Sequence, residues 1–128
     1  MITKSILSNQ YESYFDFENK DDISIITVKI LRASLKVSLK FKEFSSNVVF
    51  GGEKKIIIVM TKVEFMDSSF LGAIVHLVRT ARANGGDVKA VMPNHIQQYV
   101  SQVTRMDKLF NIYPDLVSAK LSFMFPEE

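Results

Sequence analysis

Apolar positions along the chain follow two different spacings, and the two alternate from one end to the other. Apolar residues, many of them β-branched, are nearly continuous from Ile23 to Leu31 and again from Lys55 to Met60, which is typical of strands covered on both faces. A third run, Asp87 to Met92, follows a pair of glycines. Between these runs apolar residues recur with the spacing of amphipathic helices. The alternation predicts one α/β domain over residues 1–128, with Lys55 to Met60 as its central strand.

The two ends of this pattern are less regular. Tyr11 to Phe17 mixes aromatic with polar residues and predicts an edge strand, and the polar run from Asn19 to Asp22 predicts the turn after it. Near the C-terminus, Pro114 predicts the start of a last helix, which ends near Phe123. An earlier helix is predicted after Pro93 with Asn94 as its cap. Its apolar stripe consists of Ile96, Tyr99, Val100 and Val103.

The segment from Ser34 to Phe50 carries both spacings at once. The residues that alternate with polar neighbours, as in a half-buried strand, are Leu35, Val37, Leu39 and Phe41. The residues at helical spacing are Val37, Phe41, Phe44 and Val48. A helix supplies the crossover that parallel strands need, and Ser34 is available to cap it, so we interpret the segment as a helix. A β-hairpin closed around residues 32–34 is the alternative.

A long helix is predicted from Ser68 to about Asn84, where Asn84-Gly85-Gly86 supplies a left-handed stop. On a helical wheel the apolar residues fall within an arc of about 160°. These residues are Phe70, Leu71, Ile74, Val75, Leu77, Val78 and Ala81. The opposite side carries Ser68, Ser69, Gly72, His76 and Arg79. Ser68 therefore begins an exposed strip, in which Gly72 either lets a partner approach the backbone or serves tight internal packing.

Three small polar residues, Asp67-Ser68-Ser69, stand where the central strand hands over to this helix. The first N–H groups of a helix have no internal acceptor and carry the positive end of the helix dipole. Asp and Ser are favoured there as caps, so capping alone is a sufficient explanation of Asp67 or Ser68. The outward direction of Ser68 allows a second role, because Asp67 can cap the helix while Ser68 stays accessible.

Composition and charge narrow the functional classes. The chain has 128 residues, 47% apolar and 23% charged, which is an ordinary globular composition. No apolar run approaches the roughly 20 residues of a membrane span, and the first ten residues lack the pattern of a secretory signal. A net charge of +2, with lysines spread among carboxylates, does not suggest nucleic acid. We expect a cytoplasmic protein with neither a membrane nor a nucleic-acid partner.

Catalytic and cofactor chemistry is not indicated either. The chain has no cysteine, and His76 and His95 belong to different predicted elements. Neither Gly51-Gly52 nor Gly85-Gly86 extends into a nucleotide-binding fingerprint. We therefore expect no enzyme activity, no metal and no cofactor.

One stretch is more specific than the rest of the chain. Phe65-Met66-Asp67-Ser68-Ser69, followed by Leu71 and Gly72 after an apolar strand, with Gly85-Gly86 closing the helix, resembles the STAS family, which includes the anti-sigma-factor antagonists. The resemblance is clearest over residues 55–121 and includes the segment from Met106 to Tyr113, which is similar to the one before the last helix of STAS domains. It implies a mixed sheet of about four to five strands with about four helices.

The resemblance also implies a function. In antagonists of the family the serine after the aspartate is phosphorylated by a partner kinase, which corresponds here to Ser68, with Ser69 as second choice. The implied partners are a serine-kinase anti-sigma factor, which binds the unmodified form, and a serine phosphatase. The residues expected to meet the kinase are Asp67, Ser68, Ser69, Gly72, His76 and Arg79. The chain itself is expected to be a monomer or a weak dimer.

Two departures from the family pattern stand out. Most antagonists carry glycine where this chain has Phe70. We interpret Phe70 as a core residue; the alternative is that its bulk limits which kinase can bind. The glycine and aspartate usual after the second strand are absent from Lys29 to Ser34. The alternative function is a non-switching STAS subunit of a larger scaffold or transport assembly that binds protein or a small ligand.

Overall fold

The computed structural model describes residues 11–104 and 111–126. The elements within these ranges are β1 (Phe15–Lys20), β2 (Ile23–Val28), β3 (Arg32–Ala33), α1 (Leu35–Phe50), β4 (Lys55–Val59), β5 (Phe65–Met66), α2 (Ser68–Ala83), β6 (Asp87–Val91), α3 (Asn94–Thr104), β7 (Asn111–Tyr113) and α4 (Leu116–Met124).

Five of the described strands form one mixed sheet in the order β1-β2-β4-β6-β7. β1 pairs antiparallel with β2, and the remaining neighbours are parallel. Lys55–Val59 is the middle strand of this sheet, as predicted. The crossover from β2 to Lys55–Val59 contains α1, and the crossover from Lys55–Val59 to β6 contains α2. The described ranges thus hold a single α/β domain with a five-stranded mixed sheet and four helices, which confirms the predicted fold class.

The sheet has a front face and a back face, which alternate along each strand. On β4, Ile56 and Ile58 point into the larger cluster, together with the buried sides of α1, α2 and α3; this is the front face. Ile57 and Val59 point to the back face, where Ala119 of α4 packs on them. All four of these β4 side chains are nearly inaccessible, so the continuous apolar run reflects burial on both faces.

The ambiguous segment is a helix, α1, and the hairpin alternative is wrong. The residues at helical spacing, Val37, Phe41, Phe44 and Val48, are all buried in the front cluster. The strand-like alternation misled because Leu35 and Leu39 are not core residues; they are 63% and 70% exposed. A helix is selected because it places the Phe41 ring 4.9 Å from that of Phe70 in α2.

The first strand and turn lie later than predicted. The strand begins at Phe15 and continues through Asn19 and Lys20, which pair with β2. The turn itself is Asp21-Asp22, and both residues have positive φ, 56° and 67°. That geometry closes a hairpin with only two loop residues, so Asn19 and Lys20 stay in the ladder.

The C-terminal boundaries also differ from the predictions. Asn94 is the first residue of α3 rather than its cap, since the N–H groups of Ile96 and Gln97 already donate to the Pro93 carbonyl. The last helix begins at Leu116 instead of Pro114. Asp115 caps it, and the hydrogen bond donated by the Ser118 backbone N–H lowers the pKa of the Asp115 carboxyl.

The α2 helix ends as the sequence predicts. Gly85 has a φ of 82°, and the N–H of Gly86 donates to the Ala81 carbonyl at 2.8 Å, which is the six-residue closure of a left-handed helix stop. Two predicted features fall outside the described residues: the side chain of Val103 and the part of the Met106 to Tyr113 segment before β7.

Candidate functional site

Asp67 joins the beginnings of two helices. One carboxylate oxygen, Oδ1, accepts a hydrogen bond of 3.0 Å from the Phe70 N–H, so Asp67 caps its own helix, α2. The other, Oδ2, accepts one of 2.8 Å from the Leu35 N–H, the first residue of α1. Ser34 holds the cap position of α1 but makes no capping hydrogen bond with its side chain. A single carboxylate therefore accepts a hydrogen bond from an otherwise unpaired N–H group at the start of each helix.

A short parallel ladder brings these two helix ends together. β3 and β5 pair Arg32 with Phe65 and Ala33 with Met66. The ladder continues into the site, because the Asp67 N–H donates to the Ala33 carbonyl at 3.1 Å. Two-residue strands carry too little pattern to be recognised in a sequence, so this ladder was not predicted.

Ser68, the first residue of α2, is exposed, whereas Ser69 is partly buried and Phe70 is fully buried. Among the described residues, the Ser68 hydroxyl has no hydrogen-bond partner. Capping is carried by Asp67, and this leaves the Ser68 hydroxyl available. Phe70 is a core residue, as interpreted from the sequence, because its ring packs on Phe41.

The strip that begins at Ser68 is exposed along α2. Gly72, His76 and Arg79 all lie on the surface, and Ser68 and Arg79 are about 16 Å apart along the helix axis. A Cβ added at Gly72 meets nothing within 4 Å, so the internal-packing reading of this glycine is wrong. Four of the six predicted partner-binding residues thus share one exposed side of α2, whereas Asp67 precedes the helix and Ser69 is partly buried. We call Ser68, Gly72, His76 and Arg79 the Ser68 strip.

Exposed apolar side chains also lie near Asp67, at the start of this strip, and they were not assigned to the site from the sequence. Phe65 is 41% exposed just before Asp67, and its ring carries the Arg32 guanidinium at 4.5 Å from the centroid. Leu35 and Leu39 lie one turn apart at the start of α1, whose first N–H group is bound to Asp67. The signal was present: Leu35 and Leu39 form a second apolar stripe, separate from the core stripe of α1.

The site offers no catalytic constellation within the described ranges. His76 lies 3.5 Å from the Thr80 hydroxyl on the same helix, and His95 lies 3.1 Å from the Glu64 carbonyl, so the two histidines have separate surroundings. No group of three or more acidic, histidine or cysteine residues in the described part of the chain could hold a metal ion. Nor is any helix there long and apolar enough to cross a bilayer.

Comparison with protein families gives one match over most of the chain. The family model described as the STAS domain matches residues 8–119. A Thermotoga maritima protein, provisionally named as an anti-sigma factor antagonist, is 30% identical over 109 residues, which cover 82% of this chain and 93% of the relative.

Solved structures agree with this fold. A crystal structure from Thermotoga maritima, provisionally described as an anti-sigma factor antagonist, superposes with a TM-score of 0.75 at 26% identity, over 84% of this chain and 92% of that one. SpoIIAA, an anti-sigma factor antagonist, gives a TM-score of 0.67 in its unphosphorylated form, at 17% identity over 88% of this chain and 99% of its own. SpoIIAA from Bacillus in its phosphorylated form gives 0.65, at 18% identity over 84% of this chain and 97% of its own.

Proposed function

This chain belongs to the STAS domain family, and from that premise we propose that it is a phosphoregulated binding module of the anti-sigma-factor-antagonist type. In its unmodified form it binds a serine-kinase anti-sigma factor. The kinase phosphorylates Ser68 and is released, and a serine phosphatase restores the unmodified form. The module itself is not an enzyme, and it acts in the cytoplasm as a monomer or weak dimer. The observation that carries this proposal is an exposed Ser68 hydroxyl beside a fully engaged Asp67 carboxylate.

Accessibility favours Ser68 over Ser69 as the acceptor. A kinase must place the acceptor oxygen in line with the γ-phosphorus of ATP, and the hydroxyl proton passes to a base of the kinase as ADP leaves. An exposed first-turn hydroxyl can enter another protein's active site without unfolding of the helix. Ser69 is partly buried, so its hydroxyl is less accessible to a kinase than that of Ser68.

The phosphate is tolerated by the fold, because it lies at the positive end of α2. It adds about −1.5 to −2 charge units at neutral pH. The Asp67 carboxylate is held next to it by two hydrogen bonds and cannot turn away without losing both. The modification therefore changes the charge of the surface more than it changes the backbone.

The effect on the bound kinase is electrostatic. Two like charges about 4 Å apart repel by up to about 4 kcal/mol at an effective dielectric constant near 20. About 2.7 kcal/mol is enough for a hundredfold loss of affinity. A partner surface that carries an acidic group opposite Ser68 would accordingly be released by phosphorylation.

The unmodified surface is suited to protein binding. Exposed apolar side chains lie near the start of the Ser68 strip: Phe65 precedes Asp67 by two residues, and Leu35, whose N–H donates to Asp67, begins α1 one turn before Leu39. Exposed apolar side chains close to polar ones are typical of protein-binding surfaces. Gly72 leaves the α2 backbone open to close approach, since nothing lies where its Cβ would be.

The test is direct. The chain is incubated with ATP and candidate serine kinases encoded nearby, and phosphate is mapped by mass spectrometry in the wild type, in Ser68→Ala and in the matched control Ser69→Ala. We expect phosphate on the wild type and on Ser69→Ala only. Modification of Ser69, or no modification by any candidate, would overturn the site assignment.

Binding is measured in parallel on unmodified protein and on two variants of similar size. Ser68→Asp carries a charge and Ser68→Asn does not, so the comparison isolates charge from shape. We expect kinase affinity to fall about a hundredfold for Ser68→Asp and severalfold at most for Ser68→Asn. Equal affinities would refute the charge mechanism. Native mass spectrometry gives the assembly state, and large particles would favour a scaffold subunit instead.

A further inference from the structure

A lysine occupies an interior position on the back face of the sheet. Lys89 lies in the middle of β6, between its partners Ile57 on β4 and Asn111 on β7. Only 8% of the residue is exposed, although lysine is almost never buried without a partner for its charge. Neighbouring positions on this face are apolar residues such as Val91 and Ala119. Packing alone therefore does not explain why a lysine occupies this position.

The surroundings of the Lys89 ammonium favour a cation but do not neutralise it. Nζ donates a hydrogen bond of 2.7 Å to the Ser122 hydroxyl. It also lies 4.3 Å from the ring centroid of Phe123 and 5.6 Å from that of Tyr113. Within the described ranges, no carboxylate forms an ion pair with Lys89. One of the three ammonium hydrogens has a polar acceptor, and the charge is without a counterion there.

The same ammonium borders a cleft of about 860 Å³. The polar residues that line this cleft are Lys89, Gln97, Gln98, Ser101, Asn111, Tyr113 and Ser122. None of these carries a negative charge, and several can donate hydrogen bonds to an oxygen anion. The apolar part of the lining comes from Ile112, Phe125 and Pro126. The volume is in the range of clefts that hold small organic molecules.

We propose that this cleft binds a small organic anion whose carboxylate or phosphate group pairs with the Lys89 ammonium. The side-chain amide of Asn111 lines the cleft and can donate to the remaining oxygens. Gln97 Nε2 donates to the Met92 carbonyl at 2.8 Å and has a second hydrogen for the ligand, while Phe125 covers the organic part. The anion supplies the counter-charge that the described residues do not provide, and its pairing with the ammonium stabilises the complex.

This site is separate from the proposed phosphorylation site. Lys89 points to the back face under α4, whereas Ser68 begins α2 on the front face. The ligand site consequently does not depend on the partner-switching proposal, and either can fail without the other. A domain with both would combine a protein-binding surface at the start of α2 with a ligand-binding cleft at the β7 edge of the sheet.

The experiment is an NMR titration of the ¹⁵N-labelled full chain with inorganic phosphate and, separately, with benzoate, at an ionic strength held constant with sodium chloride. We expect saturable shifts of the amide resonances of Lys89, Tyr113 and Ser122 with at least one anion. Which anion binds distinguishes a phosphate from a carboxylate ligand. Lys89→Met should weaken binding about tenfold or more, and Lys89→Arg should retain it.

The matched control is Lys120→Met, which removes the same charge from α4 at a position that does not line the cleft. It should bind like the wild type. If Lys89→Met does not fold, the neutral polar variant Lys89→Gln takes its place. The proposal is overturned if neither anion gives a saturable shift at these residues, or if the neutral Lys89 variant binds as tightly as the wild type.

Discussion

The two central helices begin differently, although each is preceded by a residue that favours capping. α2 is capped by its own Asp67, while α1 follows Ser34, whose side chain makes no capping bond. The N–H group of Leu35 instead donates to Asp67, so one residue serves both helices. The difference shows that cap preference identifies where a helix can start but not which side chain completes it. It also shows why Ser68 is left with an accessible hydroxyl.

The largest expected effect in this comparison is that of Asp67→Ala. It removes the cap of α2 and also leaves the Leu35 N–H group without its acceptor, so the free energy of unfolding should fall by about 2 kcal/mol. Ser34→Ala, at the equivalent position before α1, should change it by less than about 0.5 kcal/mol. Urea unfolding followed by circular dichroism measures both.

Asp67→Asn sharpens this test. In the present arrangement its single amide oxygen can accept from one of the two N–H groups but not from both. We therefore expect a free energy of unfolding between that of the wild type and that of Asp67→Ala. If Ser34→Ala cost as much as Asp67→Ala, the assignment of Asp67 as the shared cap would be wrong.

A smaller effect of opposite sign is expected on the exposed side of α2. Gly72→Ala should raise the free energy of unfolding by about 0.5–1 kcal/mol, because alanine is the better helix former and its Cβ meets open space. The same variant should weaken kinase binding if a partner approaches the backbone there. Thermal unfolding measures the first effect, and a decrease in stability would contradict the open environment of Gly72.

The last expected effect concerns a second anchor of α1, whose contribution to stability changes only at alkaline pH. The buried Tyr11 hydroxyl donates a hydrogen bond to the Glu43 carboxylate of α1. Burial, with this bond and the Glu43 charge, raises the pKa of Tyr11 to about 12 from 10.0. The protonated tyrosine is favoured in the folded state, so its contribution to stability is complete below pH 10 and is lost as the pH rises to about 12.

Tyr11→Phe isolates this contribution, because phenylalanine cannot ionise. Urea unfolding at a series of pH values from 9 to 12 should give a decline in stability that is steeper for the wild type than for the variant. Parallel curves for the two proteins would show that Tyr11 titrates at its ordinary pKa in the folded chain.

Much of the fold could be predicted from the sequence, because the strongest patterns reflect burial. The run from Lys55 to Met60 is apolar at every core position, and such a continuous apolar run is typical of a strand buried on both faces. The wheel of α2 was equally informative, because a helix that packs on a sheet must place its apolar residues on one side. All seven residues predicted for the buried side of α2 are buried.

Local patterns failed where contacts distant in sequence decide the outcome. Leu35 and Leu39 have the spacing of a buried strand face, yet they are exposed, because tertiary packing, such as that of Phe41 on Phe70 and Phe15, fixes which side of α1 turns inward. The interior position of Lys89 could not be read from its neighbours either, since the aromatic rings around it come from β7 and α4.

The sequence by itself determined the α/β class, the central strand and the position of Asp67-Ser68-Ser69 at the start of a helix. These follow from periodicity and cap preference, which are properties of short segments. The exposure of Ser68 also followed from the helical wheel, whereas only the tertiary structure decided that Asp67 binds both helices. The reason is physical: the β3–β5 ladder brings residues 33 and 67 together, and a hydrogen bond between segments so far apart depends on the packed fold.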